Sequence, residues 1–572
     1  MKVIEVNEQA FFRKYGVSIK GLIEKKTGTV WENGSIDNTI SQQRIAIPEE
    51  TLLLICFGIG DSSYIEKILY EKNNMEVTTF VPEGEFLYLC CNKDISHLIN
   101  NKRFEVVLCG PETNYNSVIK ERITFANYKY TCIMKQVDQR GENNLFNKIE
   151  HKILEYIEEV RITNNTYIHF GEKMCVNELY AFSRLSKSFL AEEMFNNIPT
   201  RDIPVVIVSA GPSLDKNVIE LKKCKNSAIV IAVDHATPLL DKYSIVPDLV
   251  GRIDPNEQYF FSKHDKEKKY RMLISAKGTR HIQQIYQGRC IYYDFNTEVF
   301  GTERIQKNEK DIDFGGSVAT SIFSLFLEAG FKTFILTGQD LAYGKGKTTH
   351  AGKEKEMKND PVVFVDGYFG EKVESRPDWV TYLNYYEKKI GENPHITVIN
   401  ATEGGALIKG AKNMDLAQAI ALYCNKAFPI ESWLENISGG NDEDKIESLE
   451  LLKRYRIRSI RAEGELKEIL SLNNTITESI KNQRLNEKYF KNCNNYDSLY
   501  HKLLEDDDMK LLHYYCNAAV QAYVTEALEL ENQKDVIRKM ESEKKLFSEM
   551  LIGEEQLVGY LDSLLADMYL GE

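Results

Sequence analysis

The sequence lacks the segments that would place it in or across a membrane. No apolar run approaches the length needed to span a bilayer, so we expect no membrane insertion. Residues 1–16 lack the uninterrupted apolar core of a signal peptide. The 11 cysteines are dispersed without the spacing of a metal site. Dispersed free thiols are typical of a reducing compartment, so we expect a cytoplasmic protein.

Some common ligand-binding patterns are absent too. There is no Gly-x-x-x-x-Gly-Lys-Ser/Thr segment, which argues against a P-loop NTPase, and Gly58-x-Gly60 lacks the third glycine of a dinucleotide fingerprint. The formal net charge of −13 argues against nucleic acid as the main partner.

Asp311 and Asp313 precede a glycine-rich turn. Metal binding there stays open, because hard cations need more converging oxygens than two residues prove.

What is present divides the chain into three parts. A chain of 572 residues is too long for one core. Residues 1–175 alternate strand-like runs with amphipathic segments, which predicts an α/β, Rossmann-like domain. Residues 176–428 predict a central nucleotide-binding domain. Residues 429–572 have no proline after Pro429 and show apolar residues at three- and four-residue intervals, which predicts an α-helical domain.

The central part predicts a Rossmann-like fold with a parallel sheet. Five β-branched runs each lead into a turn, and ligands bind at the carboxyl ends of the strands in such sheets. We therefore expect residues 202–412 to hold a nucleotide. The five segments are PVVIVSAGPSLD, SAIVIAVDHATPLL, VPDLVGRIDP, FKTFILTGQDLAY and ITVINATEGGA.

The first strand end has the composition of a phosphate-binding turn. Ser209 and Gly211 are small enough for a ligand to approach the backbone closely. Pro212 suits the first turn of a helix, and Ser213 places a hydroxyl beside the free N–H groups of that turn. Such N–H groups bind phosphate through oriented donors and the helix dipole. The alternative is a tight strand-to-helix turn without a ligand.

A second glycine-rich helix start follows at Gly315, Gly316 and Ser317, where the serine is a good N-cap. Between the two starts, Asp234 lies about where a Rossmann fold places the acidic residue that binds a ribose. Asp254 precedes a proline and is either a turn former or a ligand contact. We assign these residues to a nucleotide site.

Two further strand ends carry polar candidates for donor binding. The residues are Gln339, Asp340 and Tyr343 after one strand, and Asn400, Thr402 and Glu403 after another. His350 lies in the loop after the first group. It is the strongest candidate for a proton-transfer group, because histidine titrates near neutral pH. The alternative is that His350 is a loop histidine without a catalytic role. The same two interpretations apply to His235, which follows Asp234.

These motifs together resemble the central domain of the motility accessory factor (Maf) glycosyltransferases. Their order and spacing agree across residues 202–412, and the flanking regions fit the three-part layout of that family. The blocks that carry the resemblance are VSAGPSLD, PDLVGRIDP, FGGSVATS, LTGQDLAY and INATEGGA.

The resemblance implies an activity, a donor and an acceptor. Members of this family are implicated in attaching nonulosonic acids, such as pseudaminic or legionaminic acid, to Ser or Thr hydroxyls of flagellin. The central domain is similar to bacterial sialyltransferases, which use CMP-activated donors and usually need no metal. The resemblance therefore implies a CMP-sugar donor, a flagellin acceptor, no cofactor, and inversion at the anomeric carbon.

The sequence departs from the sialyltransferase pattern at two places. The Gly-x-Gly-Pro-Ser turn of those enzymes corresponds to residues 209–213, SAGPS, with an alanine in its first half. Those enzymes carry a histidine base late in the domain, but the corresponding segment 365–379 contains no histidine. His350 and Asp366 stand in as candidates for the base. Asp340 completes the candidate catalytic residues.

Two other functions stay open. The first is a pyrophosphokinase acting on a pterin-like alcohol, because a shorter related group transfers pyrophosphate to such an alcohol. The second is a non-catalytic flagellin-binding or export factor, because the sequence shows no clear base. A pterin kinase would not need the helical region after residue 430. That region therefore favours a protein acceptor, and we predict that it contacts flagellin.

Overall fold

The fold is described from a computed structural model. It describes residues 47–48, 51–58, 62–72, 75–82, 86, 96–110, 113–125, 127–135, 143–256, 270–286, 288–344, 348–351, 361–533 and 536–570. Gly60 of the incomplete fingerprint lies outside them. The chain forms two compact units. The first comprises Met1–Gly171, Glu465–His501 and Cys516–Ile552, and the second Glu172–Gly464, Lys502–Tyr515 and Gly553–Glu572. The predicted domain boundaries after residues 175 and 428 stay a prediction.

The first unit contains a four-stranded parallel sheet of order β3-β2-β1-β4. Its strands are β1 (Leu53–Phe57), β2 (Glu76–Pro82), β3 (Phe104–Cys109) and β4 (Thr131–Lys135). The helices up to residue 183 are α1 (Ser63–Glu71), α2 (Ser96–Ile99), α3 (Tyr115–Arg122) and α4 (Asn143–Ser183). Every residue of β1 is buried, as is typical of a parallel strand covered on both faces. The predicted α/β arrangement is confirmed.

The second unit contains a nine-stranded sheet in which all neighbouring strands are parallel. Its strands are β5 (Phe189–Leu190), β6 (Val205–Val208), β7 (Ile229–Val233), β8 (Leu249–Arg252), β9 (Met272–Ser275), β10 (Cys290–Tyr293), β11 (Thr333–Thr337), β14 (Thr397–Asn400) and β15 (Lys412–Asn413). A separate antiparallel hairpin pairs β12 (Val363–Asp366) with β13 (Lys372–Ser375). The five predicted strands, β6, β7, β8, β11 and β14, all lie in the nine-stranded sheet.

Helices cover this sheet and complete its core. They are α5 (Ala191–Asn196), α6 (Leu214–Asn217), α7 (Thr237–Lys242), α8 (Arg280–Ile285), α9 (Thr297–Phe300), α10 (Glu303–Asn308), α11 (Val318–Glu328), α12 (Pro377–Glu392) and α13 (Leu416–Tyr423). The contact between α11 and β8 is close, because a Cβ on Gly251 would lie 2.6 Å from Ile322 Cδ1. This packing fixes where α11 begins relative to the sheet.

The chain after Pro429 is helical, as predicted. Its helices are α14 (Ile430–Glu435), α15 (Asp442–Lys481), α16 (Glu487–Glu505), α17 (Lys510–Tyr515), α18 (Asn517–Gln533) and α19 (Val536–Leu570). The absence of proline allows such lengths, because an interior proline removes a hydrogen bond and kinks a helix. Among the described residues, no helix combines the length and apolarity needed to cross a bilayer.

The strand order of the large sheet reverses next to β6. The order is β15-β14-β11-β6-β7-β8-β9-β10-β5. Strands β7 to β10 therefore follow one another on one side of β6, whereas β11, β14 and β15 lie on the other side. In open α/β sheets, ligands bind outside the carboxyl ends of the strands at such a reversal. We therefore expect a ligand to bind at the turns after β6 and β11.

Candidate functional site

The turns after β6 and β11 are held together by backbone hydrogen bonds. The N–H of Ser209 donates to the carbonyl of Thr337 at 2.9 Å, and the N–H of Gly211 donates to that of Gly338 at 2.8 Å. A Cβ on Gly211 would lie 2.5 Å from the Gly338 oxygen, so this approach requires glycine. The hydroxyl of Ser209 also bonds to the side-chain oxygen of Gln339. The structure therefore brings Ser209, Gly211 and Gln339 together.

Asp340 occupies the helix start that we predicted for phosphate. The Ser213 hydroxyl donates to Asp340 Oδ2 at 2.7 Å, and the Ser213 N–H lies 3.2 Å from the same oxygen. Burial raises the pKa of Asp340 to about 6, although the hydrogen bonds from Ser213 act to lower it. The helix that follows, α6, extends only from Leu214 to Asn217 and offers a weak dipole. The donors of Ser213 thus hold a carboxylate of the protein in this structure, and phosphate binding by Ser213 stays a prediction.

The turn after β14 packs on the backbone of Asp340. The N–H of Ala406 donates to the Asp340 carbonyl at 2.7 Å. A Cβ on Gly405 would lie 2.2 Å from that carbonyl oxygen, and Gly405 has φ +71°, so glycine is required here as well. Gly404 differs, because a Cβ there would meet Lys216 Nζ at 3.5 Å and the Ser213 side chain at 3.7 Å. A Cβ at Gly404 would therefore make ordinary van der Waals contacts, so this position does not require glycine as Gly405 does.

The polar candidates after β14 divide into two groups. Glu403 Oε1 accepts hydrogen bonds from Asn217 Nδ2 at 2.9 Å and from the N–H of Leu416 at 3.0 Å, so it anchors the start of α13. Asn400 is fully buried, and its Oδ1 accepts from the N–H of Thr402 at 3.3 Å. The buried hydroxyl of Thr402 has no hydrogen-bond partner among the described residues. A buried group of this kind favours a ligand contact at Thr402 rather than at Glu403.

Asp234 and Asp254 contact other protein groups. Asp234 is 4% exposed, and its carboxylate pairs with the fully buried guanidinium of Arg252. Burial raises the pKa of Asp234, and Arg252 opposes that rise. Asp254 Oδ1 accepts from the N–H of Asn256 at 2.8 Å, which is the turn-forming alternative. The carboxylate of Asp234 is thus buried in an ion pair, and a ribose contact by Asp234 stays a prediction.

The loop after β11 folds back over the turn after β6. The N–H of Ala351 donates to the carbonyl of Ala210 at 2.9 Å. Pro212 lies against Gly344, where a Cβ would come within 2.7 Å of the proline ring. The ring of Tyr343 packs on that of Trp379, with centroids 5.0 Å apart. This loop carries His350 to the carboxyl edge of the sheet.

His350 and His235 lie side by side at that edge. Nε2 of His350 is 3.2 Å from Nδ1 of His235, and Nδ1 of His350 is 2.9 Å from the hydroxyl of Thr349. Both imidazole rings are half-buried. The sequence identified each histidine separately, but nothing local indicates that they meet.

The second glycine-rich helix start forms as a capped helix. The Ser317 side chain accepts from the N–H of Thr320 at 3.1 Å, and Thr320 Oγ1 accepts from the N–H of Ser317 at 2.9 Å. Gly315 has φ +66°, and a Cβ there would lie 2.6 Å from the ring of Tyr385. Gly316 also has positive φ, +80°. A helix that connects parallel strands runs antiparallel to them, so α11 begins at the carboxyl edge of the sheet. The N–H groups in the first turn of a helix have no carbonyl partner within the helix.

Asp366 lies in a different environment from the other candidates. It is exposed on the β12–β13 hairpin, where Lys372 Nζ donates to its Oδ1 at 2.6 Å. The hydrogen bond and charge of Lys372 lower the pKa of Asp366, which makes it a weaker base.

Metal binding near Asp311 and Asp313 was left open by the sequence. In the structure, Asp313 Oδ1 accepts a hydrogen bond from the N–H of Gly315 at 3.1 Å. The described part of the chain contains no group of three or more His, Cys, Asp or Glu that could hold a metal ion.

Comparisons with known proteins agree with this fold. Residues 177–346 match the family model of the MptE-like proteins, described as 6-hydroxymethylpterin diphosphokinase MptE-like. The structure is similar to that of the MAf glycosyltransferase from Magnetospirillum magneticum AMB-1, with a TM-score of 0.54 and 13% sequence identity. The similarity covers 91% of this chain and 80% of that one. No curated protein matches the sequence. The predicted resemblance to the Maf glycosyltransferases is therefore confirmed at the level of the fold.

Proposed function

We propose that this protein transfers a nonulosonic acid from a CMP-activated donor to Ser or Thr hydroxyls of flagellin. One observation carries the proposal. Three of the blocks that resemble the Maf glycosyltransferases meet at the strand-order reversal, through the contacts of Gly211 with Gly338 and of Asp340 with Ala406. The blocks are VSAGPSLD, LTGQDLAY and INATEGGA. The fold shared with a MAf glycosyltransferase supports the same assignment. Pseudaminic or legionaminic acid is the proposed sugar.

In this proposal the nucleotide phosphate binds at the start of α11. The donor loses CMP as a phosphate monoester, so negative charge develops on the leaving oxygen, and oriented N–H groups stabilise such charge. The Ser213 N–H is bonded to Asp340 and the Thr320 N–H to Ser317, so the N–H groups of Val318 and Ala319 in the first turn of α11 are the ones proposed to bind the phosphate. The buried Thr402 hydroxyl supplies a further contact to the donor. No cofactor or metal is required by this chemistry.

The test is the intact mass of flagellin co-expressed with the protein and the enzymes that make the donor. The parent adds whole nonulosonic acid masses to flagellin. Gly404→Leu adds a branched side chain beside Ser213 and Lys216 and is expected to reduce the modification at least about tenfold, a loss of about 1.4 kcal/mol in transition-state binding. Gly391→Leu is the matched control, because a Cβ at that position would meet no atom within 4 Å outside its neighbours and the backbone of its own helix. Unmodified flagellin with the parent protein would refute the proposal.

We propose that the helical region after residue 430 binds the acceptor. On α15, Ile446, Ile457 and Ile460 are 56%, 48% and 42% exposed, and their spacing places them near one face of the helix. Changing all three to serine is expected to weaken flagellin binding while CMP binding is unchanged. Ile219→Ser, an equally exposed isoleucine at 45%, is the control. Flagellin binding equal to that of the parent would exclude this surface.

The pyrophosphokinase alternative rests on the match of residues 177–346 to the MptE-like family. It predicts transfer of pyrophosphate from ATP to 6-hydroxymethylpterin, which mass spectrometry of the pterin measures directly. A pyrophosphorylated pterin together with unmodified flagellin would favour this alternative.

A further inference from the structure

A cleft in the second unit lies apart from the residues proposed to bind the donor. It is formed by α4, α8 and the C-terminal part of α19, and its volume is about 90 Å³. A single water needs about 10–15 Å³ of such volume, so the cleft can hold a group of several heavy atoms. All residues that line the cleft belong to the second unit.

Arg280 lines this cleft as a half-buried cation. Its guanidinium lies over the ring of Tyr560, 5.8 Å from the ring centroid, which is within the range of a cation–π contact. Its backbone N–H donates to Asn177 Oδ1 at 2.9 Å, which holds the start of α8. Within the part of the chain that the structure describes, the guanidinium makes no hydrogen bond or ion pair. Its five N–H donors are therefore available to a ligand in the cleft.

A second arginine makes the charge around the cleft positive. Arg184 lies over the ring of Tyr180, 5.4 Å from its centroid, and its Nη2 is 3.7 Å from Asp567 Oδ2. The buried Nε of Arg184 has no hydrogen-bond partner among the described residues. Tyr180 and Asp567 both line the cleft, so Arg184 lies directly behind its wall. Two guanidinium groups and one carboxylate leave one positive charge in excess, which favours an anion.

The rest of the lining is largely apolar or aromatic. Val176 and Leu179 of α4 and Leu564 of α19 line the cleft together with the rings of Tyr180 and Tyr560. Apolar and aromatic walls with a few placed polar groups are typical of sites for small organic ligands. A bare inorganic ion would leave these apolar walls in contact with water. The lining therefore favours an anion that carries an apolar or aromatic body.

We propose that this cleft binds a small organic anion, a carboxylate or a phosphate ester with an aromatic or apolar body. The anionic group accepts hydrogen bonds from the Arg280 guanidinium, whose planar fork matches two oxygens of a carboxylate or phosphate. The body of the ligand packs against Leu179, Leu564 and the ring of Tyr560. The inference does not rest on the proposed function, because the residues proposed to bind the donor do not line this cleft.

Isothermal titration calorimetry of the full chain with benzoate and phenyl phosphate tests this proposal. At least one of the two is expected to bind with a Kd of about 1 mM or lower, the range for a ligand of roughly ten heavy atoms. The tighter of the two identifies the anionic group. Benzamide, the neutral analogue of benzoate, and inorganic phosphate, which has no apolar body, are each expected to bind at least about tenfold more weakly than the matching organic anion. Equal affinity for the organic anion and its matching probe would overturn the proposal.

Variants of the cleft locate the bound anion. Arg280→Gln is expected to weaken the binding of the tighter probe at least about tenfold, because it removes the charged donors. Arg461→Gln is the matched control, since it removes a guanidinium from an exposed position of α15 in the same unit, and it should leave the affinity within about twofold. No binding by the parent, or an affinity that Arg280→Gln leaves unchanged or that both variants lower equally, would refute the assignment.

Melting temperature verifies that each variant is folded. If Arg280→Gln does not fold, Ser563→Phe takes its place, because it puts a ring into the cleft from an exposed position of α19. Binding of the probe to Ser563→Phe with the affinity of the parent would then overturn the inference. Displacement of the probe by CMP would place the probe at the proposed donor site, which would overturn the inference and leave the proposed function intact.

Discussion

Replacing Asp340 by asparagine tests the buried contact on which the site is built. The Asp340 carboxylate is 6% exposed and accepts the Ser213 hydroxyl at 2.7 Å. Burial raises its pKa from 3.8 to about 6. Asparagine has nearly the same shape but does not titrate. The pH dependence of the difference between parent and variant therefore isolates this carboxyl from the other ionisable groups.

The sign and size of the effect follow from linkage. Because the folded pKa lies above the unfolded one, the folded state binds the proton more tightly, and stability falls as pH rises from about 4 to about 6. The pKa of Asp340 rises by about 2.2, from 3.8 to about 6. This rise corresponds to about 3 kcal/mol of unfolding free energy. About 2 kcal/mol of this falls between about pH 4.5 and pH 7.5. The parent should lose that amount relative to Asp340→Asn.

Urea denaturation followed by tryptophan fluorescence measures this difference. Trp379 and Trp433, two of the 3 tryptophans, lie in the second unit and report its unfolding. The difference in unfolding free energy between parent and Asp340→Asn is measured across the pH range. A difference that does not change with pH, or one that moves in favour of the parent as pH rises, would refute the description of Asp340 as a buried, tightly packed carboxyl.

Other substitutions test the remaining contacts by the same denaturation assay. Gly405→Ala is expected to destabilise by about 2–4 kcal/mol, because of its positive φ and a backbone oxygen 2.2 Å from the new Cβ. Gly404→Ala should stay within about 0.5 kcal/mol, and equal losses at both positions would contradict the geometry. Arg252→Met leaves Asp234 buried without its partner and should cost about 3–5 kcal/mol; a neutral result would mean that the pair is not buried. Ser317→Ala removes the N-cap of α11 and should cost about 1 kcal/mol, and Ser317→Asp should retain most of the stability.

Local sequence patterns predicted the strands that form the site. A β-branched run followed by glycine or proline identified β6, β7, β8, β11 and β14 before their pairing was known. Strands β9 and β10 were not among the five predicted runs, although both are fully buried strands of the same sheet. The helical pattern after residue 430 was equally local, because proline-free amphipathic periodicity needs no tertiary information.

Pairing between distant residues could not be predicted in the same way. Ser213 and Asp340 are 127 positions apart, and the carboxylate occupies the donors that the local pattern assigned to phosphate. Asp234 matched the position of a ribose-binding residue, but its partner Arg252 is at the end of the neighbouring strand and buries it. Local composition shows which groups are available at a strand end. Strand order decides whether a ligand or another side chain contacts them.

The most direct test of the central claim is a crystal structure of the protein with CMP bound. We expect CMP to lie at the carboxyl edge of the nine-stranded sheet, beside Gly404. Its phosphate should accept the first-turn N–H groups of α11 at about 2.9 Å, the usual length of such a hydrogen bond. CMP bound away from this edge, or a phosphate held by the Gly211–Ser213 turn in place of Asp340, would contradict the account.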